Sequence, residues 1–511
     1  MMNWIKTQRT AEVVFLLFFF MIGAAWANAK TYVSEYRYAA TPADTEESAR
    51  LTALRGAKSL LLANLADDLQ KESKAWFRHL SKEQITALAS GFIQIKVLDE
   101  KQNGRTYEMK IQGEANPERI LPSMEALSKN KERFHHLEET KRRADTLDAK
   151  SRILRDELAT STGDAEQKAQ KAYENFIPAL LAMEWLEKGN TYAVNDHDEA
   201  AIQDYSKAIQ MVPDDPFAYV LRGAAYKRLG IRTEVIANFS KAIELGANDD
   251  AIYLDRGFAF YELGRHMEAI ESYNHVLKLR PRNAMAYVLR GFAYYALGQC
   301  REAVADFSVL LERYPGDPLL NCMRGDAYYV LGRYREALAD FSKAIIASPR
   351  ESFLYGRRTG AYLALGRFQE AIADAGKMIE LHPQDAVAFH YRGSLFDMAG
   401  KPLDASADYR KAIALDPDLP YPYKHLGVYY DKIGRHDDAI VNLSKAIELS
   451  PLYADAYYAR AISYAKVNKT EKANQDLGIA IRIKPEYRKA AKTEQGFANI
   501  RNSRDFRSLI F

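Results

Sequence analysis

Two cysteines in 511 residues leave no room for a disulfide framework or a thiolate metal site. No paired Cys-x-x-Cys and no His-Glu-x-x-His occurs. The ten histidines are scattered, and His135-His136 is the only adjacent pair. Neighbouring side chains diverge on a helix, so that pair is expected on a solvated face. A glycine loop followed by Lys-Ser or Lys-Thr, which cradles phosphates, is missing. So is Gly-x-Ser-x-Gly, the strained turn that presents a nucleophilic serine. These absences argue against an enzyme, and neither a metal nor another cofactor is expected.

An excess of charge of one sign is also lacking. Lys and Arg number 71 against 68 Asp and Glu, for a net charge of +3, with both signs interspersed. Neither nucleic acid nor a strongly charged membrane surface is implied as a partner. Long apolar runs are scarce too. Val13 to Trp26 is short of the roughly 20 residues that span a bilayer. Lys6 and Arg9 precede it, and Ala27-Asn28-Ala29 follows. That order reads as a secretory signal, residues 1–29, cleaved before Lys30. No cysteine near the cleavage site offers a lipoprotein anchor. In a bacterium the mature chain is expected in the periplasm or outside the cell, with no stable membrane span. The competing outcome is a retained anchor.

What is present in abundance is a period. Steps of 34 residues back from Pro485 reach Pro451, Pro417, Pro383, Pro349, Pro315, Pro281, Ala247 and Pro213. Tyr287, Gly291 and Tyr294 fall at i, i+4 and i+7, one face of a helix. Ala303 and Phe307 fall at i and i+4 on a second helix. Gly298 supplies the turn between them, and Pro315 ends the second helix. Tyr192, Tyr226, Phe260, Tyr294 and their successors are expected to fill the core. Gly291 and its equivalents are expected to face the small residue of the second helix, Ala303 in this unit.

Tyr287-x-x-Arg290-Gly291-x-x-Tyr294, then Ala303, Phe307 and Pro315, resembles the tetratricopeptide repeat. Nine such units cover residues 182–488, about three-fifths of the chain. The resemblance implies a mainly α fold, a solenoid superhelix of stacked helix pairs. Cys300 starts a second helix and Cys322 lies early in the next first helix. Antiparallel neighbours keep them several turns apart, so two free thiols are expected.

Residues 30–120 lack the repeat and read as a small α+β domain. Tyr32 to Tyr38 is strand-like, and Thr45 to Glu72 places Leu54, Leu61, Leu65 and Leu69 on one helical face. Ser81 and Gln84 form a capping box. Ile93, Ile95 and Val97, then Asn103-Gly104, then Tyr107, Met109 and Ile111 signal a hairpin. A helix on a three-stranded antiparallel sheet is expected. Glu35-Tyr36-Arg37-Tyr38, Leu60-Leu61-Leu62, Gly91-Phe92 and Thr106-Tyr107 resemble a domain that precedes such repeats in bacterial envelope proteins. Residues 121–181 read as a helical linker. Leu137, Ala144, Leu147, Leu154 and Leu158 keep a heptad rhythm, so a coiled-coil seam with a second copy competes with a single helix. Lys141-Arg142-Arg143 is expected on a solvated face. Residues 489–511 follow the repeats as a capping helix and tail, with a polar helix near Glu486 to Asn499.

In tetratricopeptide arrays the first helices line a concave surface. By that resemblance the fifth, ninth and twelfth residues of each unit face inward. They give an apolar middle of Leu254, Phe258, Tyr261, Val288, Phe292, Tyr295 and Tyr329, and a polar far end of His390, Asp397, Lys424 and Asp431. The set implies a protein or peptide partner. The clamp that grips a chaperone's terminal carboxylates is not matched, because Asn190 has Leu186 beside it and Lys424 has Val428. With the N-terminal signal and the absent catalytic motifs, the resemblance leads to the expectation of an exported, non-enzymatic scaffold. The alternatives are an envelope component that assembles with its own copies and, by analogy of fold alone, an organiser of a polysaccharide-export machine.

Overall fold

The computed structural model describes residues 30–40, 44–72, 80–115 and 117–511. The expected signal, 1–29, lies outside the described residues. Two compact units divide the chain, one ending at Pro281 and one running from Arg282 to Phe511.

The N-terminal unit begins with β1 (Lys30–Ala39), α1 (Glu46–Glu72), α2 (Lys82–Ser90), β2 (Gln94–Asn103) and β3 (Thr106–Ala115). The strands form an antiparallel sheet in the order β1-β3-β2. Gly104, at φ +61°, takes the left-handed turn between β2 and β3. Leu61, Leu65 and Leu69 of α1 are buried with Tyr107, Met109 and Ile111 of β3. The capping box is formed: the Gln84 amide donates to Ser81 Oγ at 3.2 Å, and the Ser81 amide donates to Gln84 Oε1 at 3.0 Å. β2 departs from the expected alternation. Ile93 is buried just ahead of the strand, but Val97 is exposed. The reason is placement: α1 packs on β1 and β3, and the β2 register shifts between Val97 and Asp99.

Three helices follow: α3 (Pro117–Lys129), α4 (Lys131–Thr160) and α5 (Asp164–Val194). They cover the expected linker, 121–181, and extend beyond it. α5 runs unbroken past residue 181 into the first repeat, and α4 packs along α5. Leu137, Ala144 and Leu158 of the heptad rhythm are buried within the chain, and Leu147 and Leu154 pack beside Phe176 and Leu180. The apolar seam considered for a second copy is thus filled by the chain's own helices. Arg143 leaves the solvated face assigned to it: its guanidinium donates to Asp215 at 3.0 Å and lies 4.2 Å from the Phe217 ring centre.

His136 also departs from expectation. It is half-buried against Phe217, and burial pushes its imidazole down to about 4. Glu132 opposes that shift, while His135, Arg228 and Lys227 add to it. The unfolded chain takes up this proton near pH 6.5, and the folded chain holds off until about 4. Stability is therefore lost progressively as pH falls from 6.5 to 4, by about 3 kcal/mol at full protonation. His136→Gln should remove that much acid sensitivity from unfolding curves taken across this window. Equal slopes in wild type and variant would contradict it.

From Asp198 onward helices alternate in pairs, such as Pro216–Arg228 with Arg232–Glu244 and, in the C-terminal unit, Ala284–Ala296 with Cys300–Arg313. Gly230, Gly264, Gly298, Gly332, Gly366, Gly400 and Gly434 turn each pair at φ between 70° and 81°. Asp196 and Asn468 hold that left-handed position in the first and last repeats, and both residue types tolerate it.

The core is arranged differently from the sequence expectation. Phe260 is buried as expected, but Tyr226, Tyr294, Tyr328 and Tyr362 are only half-buried. Within the helix pairs, the most deeply buried aromatics sit on the second helices: Tyr205, Phe239, Tyr273, Phe307, Phe341 and Tyr409. Each faces the glycine 16 residues earlier. A Cβ on Gly291 would stand 2.6 Å from Phe307 Cε1, and one on Gly325 the same distance from Phe341 Cε1. These glycines therefore admit a ring rather than the small Ala303. Where the first helix carries Thr359, buried, the facing residue is Ala375.

A second ladder runs beside the rings. Arg290, Arg324, Arg358, Arg392 and Arg460 each grip the aspartate 16 residues later through two hydrogen bonds of 2.6–2.9 Å. Arg324, Arg358 and Arg460 also donate to the serine 16 residues earlier, on the preceding second helix. One guanidinium thus joins two helix pairs.

The C-terminal end is sealed by apolar side chains. The expected polar helix stops at Thr493. Phe497, Ile500, Phe506 and Ile510 then bury themselves against Leu477 and Ala461. Cys300 and Cys322 are buried free thiols, as expected.

Candidate partner-binding faces

The first helices carry their second, fifth, ninth and twelfth residues within one arc, because i, i+3, i+7 and i+10 nearly eclipse. In the N-terminal unit this face holds Leu254, Phe258 and Tyr261 on Asp250–Glu262. Phe258 is exposed, with the Arg232 guanidinium 5.9 Å from its ring centre. Leu254 and Tyr261 are half-buried, and the Tyr261 ring lies 5.0 Å from that of His266.

In the C-terminal unit the four proposed residues divide. Val288 and Phe292 pack on the cluster around Phe307, with the two phenyl rings edge to face at 6.0 Å. Both are half-buried, Val288 at the fifth position and Phe292 at the ninth, so part of each side chain packs on the core. Tyr295 and Tyr329 are exposed. The Tyr329 ring meets Tyr334 at 5.3 Å and lies over Gly360, where an added Cβ would be 3.7 Å from it. Burial pushes up both the Asp326 carboxyl beside Tyr295 and the Tyr295 hydroxyl.

The polar far end is more internally bonded than its composition suggests. Asp397 accepts from the Tyr409 hydroxyl at 2.7 Å. Asp431 accepts from Lys466 at 2.5 Å and Ser463 at 3.0 Å, and meets His436 Nδ1 at 2.8 Å. His390 packs beside the His425 and Tyr421 rings, and burial lowers its pKa. Lys424 is likewise lowered by burial. His425 is pushed down to about 3 by burial, with Lys424 and His390 adding to the effect.

Sequence reasoning missed the second position. Met285, Leu319, Phe353, Val387 and Tyr421 occupy it in five successive repeats of the C-terminal unit, each 50–58% exposed. Its signal was legible: an apolar residue recurs every 34 positions just inside a helix start, where water is the neighbour. Among the described residues no cluster of three or more His, Cys, Asp or Glu is placed to hold a metal ion, and no helix is long and apolar enough to cross a membrane.

Two family models match the chain. One described as TPR repeat matches residues 189–230, 259–298 and 429–468, and one described as Tetratricopeptide repeat matches 291–352, 322–386 and 360–420. No curated protein matches. Among solved structures, a tetratricopeptide repeat protein from Parabacteroides merdae is 23% identical, with 48% of this chain and 98% of that one aligned at a TM-score of 0.35. The C-terminal part of a TPR repeat-containing protein from Cytophaga hutchinsonii is 19% identical over 47% and 99% of the chains, at a TM-score of 0.42. YrrB, described as a TPR protein with an unusual peptide-binding site, is 22% identical over 36% and 97%, at a TM-score of 0.31. Proteins of this repeat class often bind protein or peptide partners and are typically non-enzymatic. The 34-residue helix pairs, their glycine–ring contacts and the matched family models together make this chain a tetratricopeptide repeat protein with a small α+β domain ahead of its repeats.

Proposed function

We propose that the protein is an exported, non-enzymatic scaffold that captures a protein or peptide segment on the inner faces of its first helices. The observation that supports this reading is the exposed apolar column Met285, Leu319, Phe353, Val387 and Tyr421, beside exposed Tyr295 and Tyr329. Exposed apolar and aromatic rows of this kind mark contact surfaces. The backbone carrying them is regular helix held by buried rings and ion pairs, so binding costs little ordering of the scaffold. Export rests on the N-terminal sequence, with its basic residues, apolar run and Ala27-Asn28-Ala29.

The faces can be separated from the core by substitution. Tyr295→Ser with Tyr329→Ser should change stability by no more than about 0.5 kcal/mol and abolish partner capture. Phe292→Ser should cost about 2 kcal/mol, because it removes a ring packed on Phe307. Unfolding curves and affinity capture from an envelope extract read the two effects. If the double tyrosine variant unfolds early and Phe292→Ser does not, the assignment of surface and core is reversed.

A further inference from the structure

The inner face of the first two repeats already holds a helix, and that helix is the chain's own α4. Glu132, His136, Thr140, Arg143 and Ala144 share one side of α4, at steps of three or four residues. They meet inner positions of both first helices. Ala144 is buried in one cluster with Met183 and Leu186, the second and fifth residues of the first repeat. Thr140 Oγ1 accepts from Nδ2 of Asn190, the ninth residue, at 2.6 Å. Glu132 accepts from Lys227, the twelfth residue of the second repeat, at 2.7 Å. Contacts thus pass from second to twelfth positions as α4 is followed backward, so it runs antiparallel to the first helices. Its cover shows in exposure. Met183 and Phe217, at the second position, are 3% and 7% exposed, against 50–58% for that position in five repeats of the C-terminal unit.

One of these contacts uses an acid and a ring two residues apart. Arg143 donates to Asp215 at 3.0 Å, and its guanidinium lies 4.2 Å from the Phe217 ring centre. The same pair recurs four repeats later as Glu351 and Phe353. No other of the five repeats joins an acid to a ring there: the pairs are Asn283 with Met285, Asp317 with Leu319, Asp385 with Val387 and Leu419 with Tyr421. Phe353 is exposed, and the Glu351 carboxylate makes neither a cap bond nor an ion pair among the described residues. The ninth residue is small in both repeats, Ala224 and Gly360, so neither bars a helix from close approach. At Gly360 an added Cβ would meet nothing nearer than Tyr329 at 3.7 Å.

We propose that the inner face of the C-terminal unit takes an amphipathic helix of a partner protein, antiparallel to the first helices, with an arginine seated on Phe353 and paired with Glu351. This rests on the inner-face reading above and adds the shape and chemistry of the segment. Arginine suits the place better than lysine. A planar guanidinium lies on a ring while its N–H groups reach a carboxylate, whereas an ammonium is a point charge.

A labelled synthetic peptide of residues 131–160, a copy of α4, is the probe, read by fluorescence anisotropy against the full chain. There the first two repeats are already covered by the attached α4, so the free peptide reports on other faces. Saturable binding is expected. Arg143→Glu in the peptide, or Glu351→Arg in the chain, should each weaken it at least about tenfold, and combining the two should restore most of the affinity. Thr146→Pro in the peptide alters an exposed residue and breaks the helix, so it should also weaken binding at least about tenfold. No saturable binding at millimolar peptide, a Glu351→Arg chain that binds as wild type, or no recovery on charge exchange would overturn the proposal. Equal binding of the Thr146→Pro peptide would overturn it too, in favour of an extended segment. Any of these results leaves the inner-face reading standing if Tyr295→Ser/Tyr329→Ser still loses its captured protein. If that variant captures as wild type, the reading itself fails.

Discussion

Gly325→Thr should destabilise its repeat by about 2 kcal/mol, and Phe341→Ala by about 4 kcal/mol, yet the double substitution should cost less than the sum. The first change forces a side chain into a space where a Cβ alone would stand 2.6 Å from the Phe341 ring. The second empties a site filled by a ring that is 1% exposed. Together they recreate the pair that the next repeat already carries, Thr359 facing Ala375. The expected coupling is about 2 kcal/mol in favour of the double variant. A repeat array does not unfold as one unit, so local hydrogen exchange over residues 318–347 is the suitable readout. Strict additivity would mean that glycine and ring do not compete for the same space.

Asp340→Ala should cost about 3 kcal/mol, approaching the effect of the ring deletion. Asp340 is 3% exposed and receives both hydrogen bonds from Arg324, whose side chain is 17% exposed. Removing the carboxylate leaves the guanidinium with Ser308 Oγ as its remaining hydrogen-bond partner. Replacing Arg324 and Asp340 together by leucine should recover most of the loss, because two apolar side chains leave no buried charge unpaired. One repeat dispenses with the ion pair: Leu426 is buried at the position of the arginine, and Asn442, at that of the aspartate, donates to the Asp438 carbonyl of its own helix. Hydrogen exchange should also speed up on the preceding second helix, since Arg324 bridges to it through Ser308. A loss confined to Pro318–Ala347 would show that the arginine does not couple neighbouring pairs.

The period was legible because its markers are backbone constraints. Pro315 and Gly298 act on φ and on amide hydrogens, and these effects need no knowledge of neighbours. The hairpin through Asn103-Gly104 and the cap at Ser81 were legible for the same reason. Which aromatic fills the core was not. Tyr294 and Phe307 both sit at helical spacing, and only the packing of one helix on the next decides that Phe307 meets Gly291. The arginine at position 290 was visible but unexplained, because its partner lies 16 residues away on another helix. The fate of the heptad rhythm in α4 was hidden too, since an apolar seam reads alike whether a second copy or α5 fills it. Among the candidate site residues, exposure separates Phe258, Tyr295 and Tyr329 from Phe292. Spacing alone gave all of them one role.

The most direct test of the scaffold reading compares three chains in affinity capture from an envelope extract: wild type, Tyr295→Ser/Tyr329→Ser/Phe353→Ser, and Ile346→Ser/Val441→Ser. The last pair alters side chains 81% and 67% exposed on second helices, away from the inner faces. The account predicts that one protein is retained by wild type and by the second-helix variant and lost from the inner-face variant, with all three equally helical. Retention by all three chains, or loss from both variants, would contradict it.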